Sequence, residues 1–121
     1  MTLMTKAAHK KEDGAKRRRF TRYPVDVRIT VSVFRSGERL SLWGRSSEFG
    51  QDGIGGTLTG ELEFGEVVAL ELEFPMAVPT LKIRAIVRYR DGLRHGFEFL
   101  ARTPEQAEII QRICEQLALT R

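Results

Sequence analysis

Alternating apolar and polar residues constrain the fold of this chain more than any other feature of its sequence. A period of two residues predicts a half-buried β-strand, because successive side chains of a strand point to opposite faces. The first such segment has apolar residues at Val25, Val27, Ile29, Val31 and Val33, separated by Asp26, Arg28, Thr30 and Ser32. Alternation or short apolar runs return in residues 40–42, 54–58, 68–74, 81–87 and 96–100. About six short strands at close spacing favour an antiparallel barrel or sandwich over a βαβ sheet.

Glycine and proline mark the boundaries of these strands. Ser36-Gly37 and Asp91-Gly92 are turn signals, and Pro75 is expected to end the strand before it. Residues 48–56 contain four glycines and predict an irregular loop that leads into the short strand at 54–58.

The end of the chain follows a helical pattern instead. Thr103 has the character of an N-cap, Pro104 suits the first helical position, and Gln106 occupies the capping-box position. An apolar stripe at helical spacing follows, formed by Ala107, Ile110, Ile113, Cys114 and Leu117. We expect this helix to close over the barrel or to pack on its side, with Cys114 as a buried, unreactive thiol.

Charge is distributed unevenly along the 121 residues, whose net charge is +4. Residues 1–22 hold eight basic and two acidic side chains, a net charge of +6, and the remaining residues hold 12 basic and 14 acidic side chains, a net charge of −2. Residues 1–16 are expected to form a flexible basic tail, and residues 17–121 the folded domain. A basic arm on a mildly acidic body suggests an anionic ligand, although it is also typical of a solubilising tail.

Several functional classes are excluded by what the sequence lacks. It has one cysteine, two distant histidines, no P-loop and no Ser/His/Asp or Cys/His arrangement, so neither an enzyme, a metal site nor a bound cofactor is predicted. His95, beside Gly96, is expected to be a solvated hairpin residue. The sequence contains no membrane-spanning apolar run and no signal peptide, so a reducing cytoplasm is the expected location.

The most informative segment is Arg17-Arg18-Arg19-Phe20-Thr21-Arg22, directly before the first strand. A guanidinium group donates two parallel hydrogen bonds to phosphate and stacks on purine rings. Several arginines at the mouth of a small barrel therefore suit a ligand that contains both phosphate and guanine. Spacing alone leaves open the alternative of a basic tail that ends at a strand and contacts nucleic acid nonspecifically.

The segment Arg18-Arg19-Phe20-Thr21-Arg22, followed by Pro24-Val25-Asp26-Val27, resembles the RxxxR motif that opens a PilZ domain. The resemblance covers about residues 17–119, including the ending Gly96-Phe97-Glu98-Phe99 and the C-terminal helix. It implies a mainly β, six-stranded antiparallel barrel with a C-terminal α-helix that binds cyclic di-GMP. It further implies that Arg18 and Arg22, on a flexible arm, contact phosphate and guanine, and that Arg19 assists. Arg17, just before the motif, favours a stacked pair of ligands.

The second motif of that family, [D/N]xSxxG, is matched only in part by Glu48-Phe49-Gly50-Gln51-Asp52-Gly53. Glu48 retains a carboxylate, Gly50 replaces the serine, and Gly53 matches. A shifted frame, Arg45 to Gly50, places arginine at the acidic position and is less suitable. Because Gly50 lacks a hydroxyl, ligand binding is expected to be weaker, and Gly50→Ser is expected to tighten it. The segment can also be interpreted as a plain β-bulge loop.

Three functions are compatible with these observations. The first is a cyclic di-GMP receptor whose arm becomes ordered on binding and which signals to a partner protein. The second is a degenerate PilZ domain that acts as a protein-interaction adaptor without the nucleotide, and the eroded second motif favours it. The third is a small nucleic-acid-binding barrel, but the body's net charge of −2 and its few aromatic residues do not favour it.

Overall fold

The computed structural model describes residues 20–120, which form seven strands and one helix. The strands are β1 (Arg22–Pro24), β2 (Arg28–Arg35), β3 (Glu38–Gly50), β4 (Gly53–Leu58), β5 (Val67–Leu72), β6 (Leu81–Asp91) and β7 (Arg94–Phe99), and the helix is α1 (Pro104–Leu119). The predicted flexible tail, residues 1–16, lies outside the described residues.

Six of the strands close into an antiparallel barrel. Its order is β2-β5-β6-β7-β4-β3, and β3 also pairs with β2, which completes the ring. The short β1 adds to the edge of β3 that β2 uses: β2 faces Glu38–Arg45, and β1 faces Glu48–Gly50. The predicted six-stranded antiparallel barrel with a C-terminal helix is therefore confirmed.

The first predicted strand is divided by a buried serine on β3. Residues 25–27 leave the regular ladder, although Val27 remains buried. The Ser46 hydroxyl accepts a hydrogen bond from the Val27 N–H (2.9 Å) and donates one to the Val25 carbonyl (2.5 Å). The Ser46 N–H donates to the Val27 carbonyl (2.8 Å). One side chain thus joins β1 to β2 and sets the path by which the arm enters the barrel.

The predicted glycine-rich loop at residues 48–56 is wrong, because most of it is strand. β3 continues to Gly50 and β4 begins at Gly53, so only Gln51 and Asp52 lie between them. A Cβ at Gly53 would overlap the Phe97 carbonyl oxygen of β7. Glycine is needed here for the close approach of strand backbones, and not for the flexibility of a loop.

The helix begins as predicted and packs on the barrel. The Thr103 hydroxyl accepts a hydrogen bond from the Gln106 N–H (3.0 Å), and the Gln106 side chain accepts one from the Thr103 N–H (2.9 Å). Four residues of its stripe are buried: Ile110, Ile113, Cys114 and Leu117. The fifth, Ala107, is exposed instead. Burial raises the pKa of the Cys114 thiol to about 11, as expected for an unreactive core cysteine.

His95 is a core residue, so the prediction of a solvated hairpin histidine is wrong. Its side chain is 2% exposed. Nε2 accepts a hydrogen bond from the Leu62 N–H (3.0 Å), and Nδ1 lies 2.8 Å from the Leu93 carbonyl oxygen. These two contacts require the neutral tautomer with the proton on Nδ1. Burial accordingly lowers the pKa of His95.

Within residues 20–120, α1 is too short and too polar to cross a membrane. In the same residues, no three side chains of the types that bind metals are grouped to hold an ion.

Candidate functional site

Arg22 reaches back from β1 across the end of β3. It pairs with Gly50 in the ladder, and its guanidinium turns toward two carboxylates. Nη1 donates to Glu48 Oε2 at 3.0 Å, and Nε donates to Asp52 Oδ1 at 3.2 Å. The Arg22 side chain is only 15% exposed. The structure therefore brings together Arg22 of the first predicted motif and Glu48 of the second.

Gly50 provides the space in which the Arg22 side chain lies. A Cβ at position 50 would lie 2.6 Å from Arg22 Cδ and 2.8 Å from the Thr21 carbonyl oxygen. A serine there would displace both the arginine and the backbone before β1. The expected tightening of ligand binding by Gly50→Ser therefore conflicts with this geometry, because the added Cβ would displace the Arg22 side chain from its position in the site.

Gly53, the residue that matches the second motif, lies where two strands of the barrel pair. It is buried in the pairing of β4 with β7, directly opposite Glu98. Since its Cα packs against the Phe97 carbonyl, any larger residue would separate these strands. We therefore assign Gly53 to closing the barrel beneath the site.

Two further glycines continue the floor of the site beside Glu48. Gly55 on β4 pairs with Glu48, and a Cβ at Gly55 would lie 3.5 Å from Glu48 Oε2. Gly96 on β7 pairs with Gly55, and Tyr89 of β6 borders it. The Glu48 carboxylate therefore lies over glycine backbone, beside the Arg22 guanidinium, and its side chain is 36% exposed at the barrel surface.

Asp52 is a site residue that sequence reasoning missed. It occupies a variable position of the second motif, in a segment predicted to be an irregular loop. The two-residue connection between β3 and β4 instead holds it against Arg22. Burial and the negative charge of Asp52 both raise the pKa of Cys114, the buried thiol of α1.

The charge of the described part of the site is net negative. Arg22 carries one positive charge, and Glu48 and Asp52 carry two negative charges between them. Arg17, Arg18 and Arg19, also predicted to bind ligand, lie outside the described residues. Any attraction of a phosphate to this surface must therefore depend strongly on those three arginines.

Comparisons with known proteins bear on the fold and on the family of this chain. No curated protein matches the chain at a significant level. The PilZ domain of YcgR from Escherichia coli, solved with c-di-GMP, superposes with a TM-score of 0.72 at 19% identity, covering 86% of this chain and 93% of that one. The inhibitor of motility MotI/DgrA of Bacillus subtilis gives a TM-score of 0.67 at 18% identity, with 87% of this chain and 52% of that chain covered.

A third structure, the PilZ domain of CeSA from a cellulose-synthesizing bacterium, gives a TM-score of 0.63 at 15% identity, covering 81% of this chain and 98% of that one. At these identities the superpositions establish a shared fold. The family model of the PilZ domain matches residues 16–116, a span that includes both arginine positions of the first motif and all seven strands. This protein belongs to the PilZ domain family.

Proposed function

We propose that this PilZ domain is a cytoplasmic, non-enzymatic receptor for cyclic di-GMP that signals to a partner protein. In this proposal Arg18 and Arg22 bind phosphate and guanine, Arg17 and Arg19 assist, and Glu48 accepts hydrogen bonds from a guanine edge. Binding orders the N-terminal arm over the barrel, and the partner recognises the changed surface.

The observation that carries the proposal is the position of Arg22. A guanidinium has five N–H donors, and two of those on Arg22 are used by Glu48 and Asp52. The other three N–H groups donate to no acceptor in residues 20–120, so they are available to a phosphate. The side chain is already held against the barrel at the root of the arm, which reduces the entropy lost when ligand binds.

The adaptor without nucleotide is the second candidate, and the same cluster favours it. Glu48 and Asp52 together outweigh the charge of Arg22, and Gly50 provides no hydroxyl. If the remaining arginines do not overcome this local negative charge, the site has no affinity for a ligand with two phosphates.

Isothermal titration with cyclic di-GMP, with GMP as the control ligand, separates the two candidates. Saturable heat with the dinucleotide that is absent with GMP supports the receptor. No heat with either, for a protein whose circular dichroism shows a folded barrel, supports the adaptor. The titration also gives the stoichiometry, and two dinucleotides per chain would agree with the stacked pair that Arg17 favours.

Salt dependence addresses the nucleic-acid alternative. Binding to a nucleic-acid backbone weakens steeply with salt, because each neutralised phosphate releases counterions. Cyclic di-GMP has two phosphates and also stacks and hydrogen-bonds through its guanines, so we expect a shallow dependence. Submicromolar binding of DNA or RNA at physiological salt would contradict the proposal.

A further inference from the structure

The outer face of the β2–β3 hairpin carries an unusual set of side chains. Ile29, Val31 and Val33 of β2 point into the core, so the alternate residues face outward. Their partners across the ladder on β3 face the same way. We call this set the β2–β3 outer face; its cross-strand pairs are Arg28 with Arg45, Thr30 with Trp43, Ser32 with Ser41, and Phe34 with Arg39.

Two aromatic side chains of this face are open to solvent. Phe34 is 72% exposed and Trp43 is 45% exposed. The Arg28 guanidinium lies 4.5 Å from the centre of the Trp43 ring, which fixes one face of the indole. Tryptophan and arginine are the residue types most enriched where protein interfaces gain their binding energy.

The apolar surface continues onto the neighbouring strand. Ser32 pairs with Ala69 of β5, and the Arg35 side chain forms two hydrogen bonds of 2.9 Å with the carboxylate of Glu66. These contacts hold the end of β2 next to the start of β5. Val67, 42% exposed, follows Glu66 on the outer side, and its ladder partner is Ile86. Continuing the β2–β5 register beyond Ser32 and Ala69 brings Phe34 and Val67 to the same end of these two strands, so exposed apolar side chains of both strands lie on this side of the barrel.

The charge of the β2–β3 outer face is positive and only partly neutralised. Arg45 forms an ion pair with Asp26 at 2.8 Å. Arg39 donates to the Ser32 hydroxyl (3.3 Å), and Arg28 lies on Trp43. Neither Arg28 nor Arg39 has a carboxylate partner among residues 20–120. Two arginines without acidic partners therefore flank the two exposed aromatic rings.

From this arrangement we propose that the β2–β3 outer face is a docking surface for a protein partner, which it binds through an acidic segment that also carries apolar side chains. A carboxylate on the partner would pair with Arg39 and another with Arg28, and apolar side chains would cover Phe34 and Val67. Nucleic acid fits less well, because Arg28 already covers one face of Trp43 and because the exposed apolar side chains of Phe34 and Val67 gain nothing from a phosphate backbone.

The location agrees with a role in signalling. Trp43 and Glu48 lie on the same strand, so β3 runs from the docking surface to the candidate ligand site. The inference holds for the receptor and for the adaptor, since both require a partner, and its test needs no cyclic di-GMP.

The single tryptophan of the chain makes the test direct. The probe is a synthetic dodecapeptide in which glutamate alternates with leucine, titrated into the full chain while Trp43 emission is recorded. Three comparison probes are the same peptide with lysine for glutamate, a polyglutamate of equal length, and an oligothymidylate of equal length. We expect saturable binding of the glutamate–leucine peptide, at least about fivefold weaker binding of polyglutamate, and none of the lysine peptide.

Two variants locate the binding. Arg39→Glu reverses a charge on the face, and its matched control Arg112→Glu reverses an exposed charge on α1. Phe34→Ser removes the exposed ring, and its control Leu119→Ser changes a residue of α1 that is 78% exposed. We expect Arg39→Glu and Phe34→Ser each to weaken peptide binding at least about tenfold, and both controls to bind like the parent.

Circular dichroism and urea unfolding verify that all four variants are folded.

Several results would overturn the proposal: no saturable change with the glutamate–leucine peptide, equal binding of the lysine peptide, or equal effects of Arg39→Glu and Arg112→Glu. Tighter binding of the oligothymidylate would assign the face to nucleic acid instead. A separate titration with cyclic di-GMP distinguishes failure of the docking surface from failure of the proposed receptor function. A chain that binds the dinucleotide but not the peptide is a receptor without this docking surface.

Discussion

Two polar clusters of the barrel differ in how their hydrogen bonds are satisfied. Arg22, Glu48 and Asp52 meet at the barrel surface through side chains, and the two carboxylate side chains are about one-third exposed. His95 lies in the core, and both of its partners, the Leu62 N–H and the Leu93 carbonyl, are backbone groups. The surface contacts can be exchanged for ligand or water, whereas the core contacts have no replacement when they are lost.

This difference predicts which substitutions change ligand affinity and which change the stability of the fold. Buried polar groups left without a partner are costly, whereas exposed ion pairs contribute little net stability because water solvates the separated charges. We therefore expect substitutions at His95 to change the free energy of unfolding, and substitutions at Arg22 or Asp52 to change ligand affinity in a chain that remains folded.

The largest effect is expected for His95→Ala. The substitution leaves the buried Leu62 N–H without its partner, leaves the Leu93 carbonyl with the Leu58 N–H as its donor, and opens a cavity. The free energy of unfolding should therefore fall by about 2–4 kcal/mol. Urea denaturation measures it, with Arg94→Ala, an exposed neighbour on β7, as the control. A change below about 0.5 kcal/mol, the range of ordinary surface substitutions, would show that His95 does not hold the core.

The next effect concerns affinity. Arg22→Ala should weaken cyclic di-GMP binding at least about tenfold, because a charge-assisted phosphate contact of about 1.5–3 kcal/mol is lost and the negative charges of Glu48 and Asp52 lose the compensating charge of Arg22. Arg18→Ala is expected to weaken binding to a similar extent. Calorimetric titration measures both, with Arg84→Ala as the control and urea denaturation as the stability check. Parent-like affinity of both arm variants would refute the arginine assignment.

Asp52→Asn should have a smaller effect of the opposite sign. The amide keeps the shape of the side chain but removes a negative charge that competes with phosphate for Arg22, so we expect severalfold tighter cyclic di-GMP binding. Glu48→Gln is the matched comparison: Glu48 is expected to accept from guanine, so its neutral variant should bind more weakly. Equal effects of the two substitutions would contradict these roles, in which Asp52 competes with phosphate for Arg22 and Glu48 contacts guanine.

The same comparison explains which features the sequence predicts. Alternation at residues 25–33 and the capping box at Thr103 depend on neighbours in the chain. Burial alternates as predicted from Val27 to Val33, although β2 begins only at Arg28, and the capping box is present. Arg22 and the contact of His95 with Leu62 depend on partners about 30 residues away, and no local pattern specifies those partners. The glycines of residues 48–56 were misinterpreted for a related reason: what excludes a side chain at Gly53 is β7, a strand distant in sequence.

The smallest effect is a dependence of stability on pH. The pKa of His95 is lowered in the folded state, chiefly by burial, from its ordinary value of 6.5. The unfolded chain therefore binds the proton first as pH falls, so the stability contributed by neutral His95 is complete above about pH 6.5 and decreases below it. The hydrogen bond from Arg35 lowers the pKa of Glu66 from its ordinary value of 4.5. The stability that ionised Glu66 gives to the protein therefore begins to fall only near pH 4.5.

Urea denaturation at several values between pH 7.5 and pH 5 should therefore show a free energy of unfolding that falls toward acid in the parent. The decline should be smaller in His95→Ala, because that variant lacks the titrating group. The Arg22→Ala variant should follow the parent, since it retains His95. If the parent and His95→Ala lose stability equally over this range, protonation of the core histidine is not the cause, and the distinction between the two clusters would rest on the affinity measurements alone.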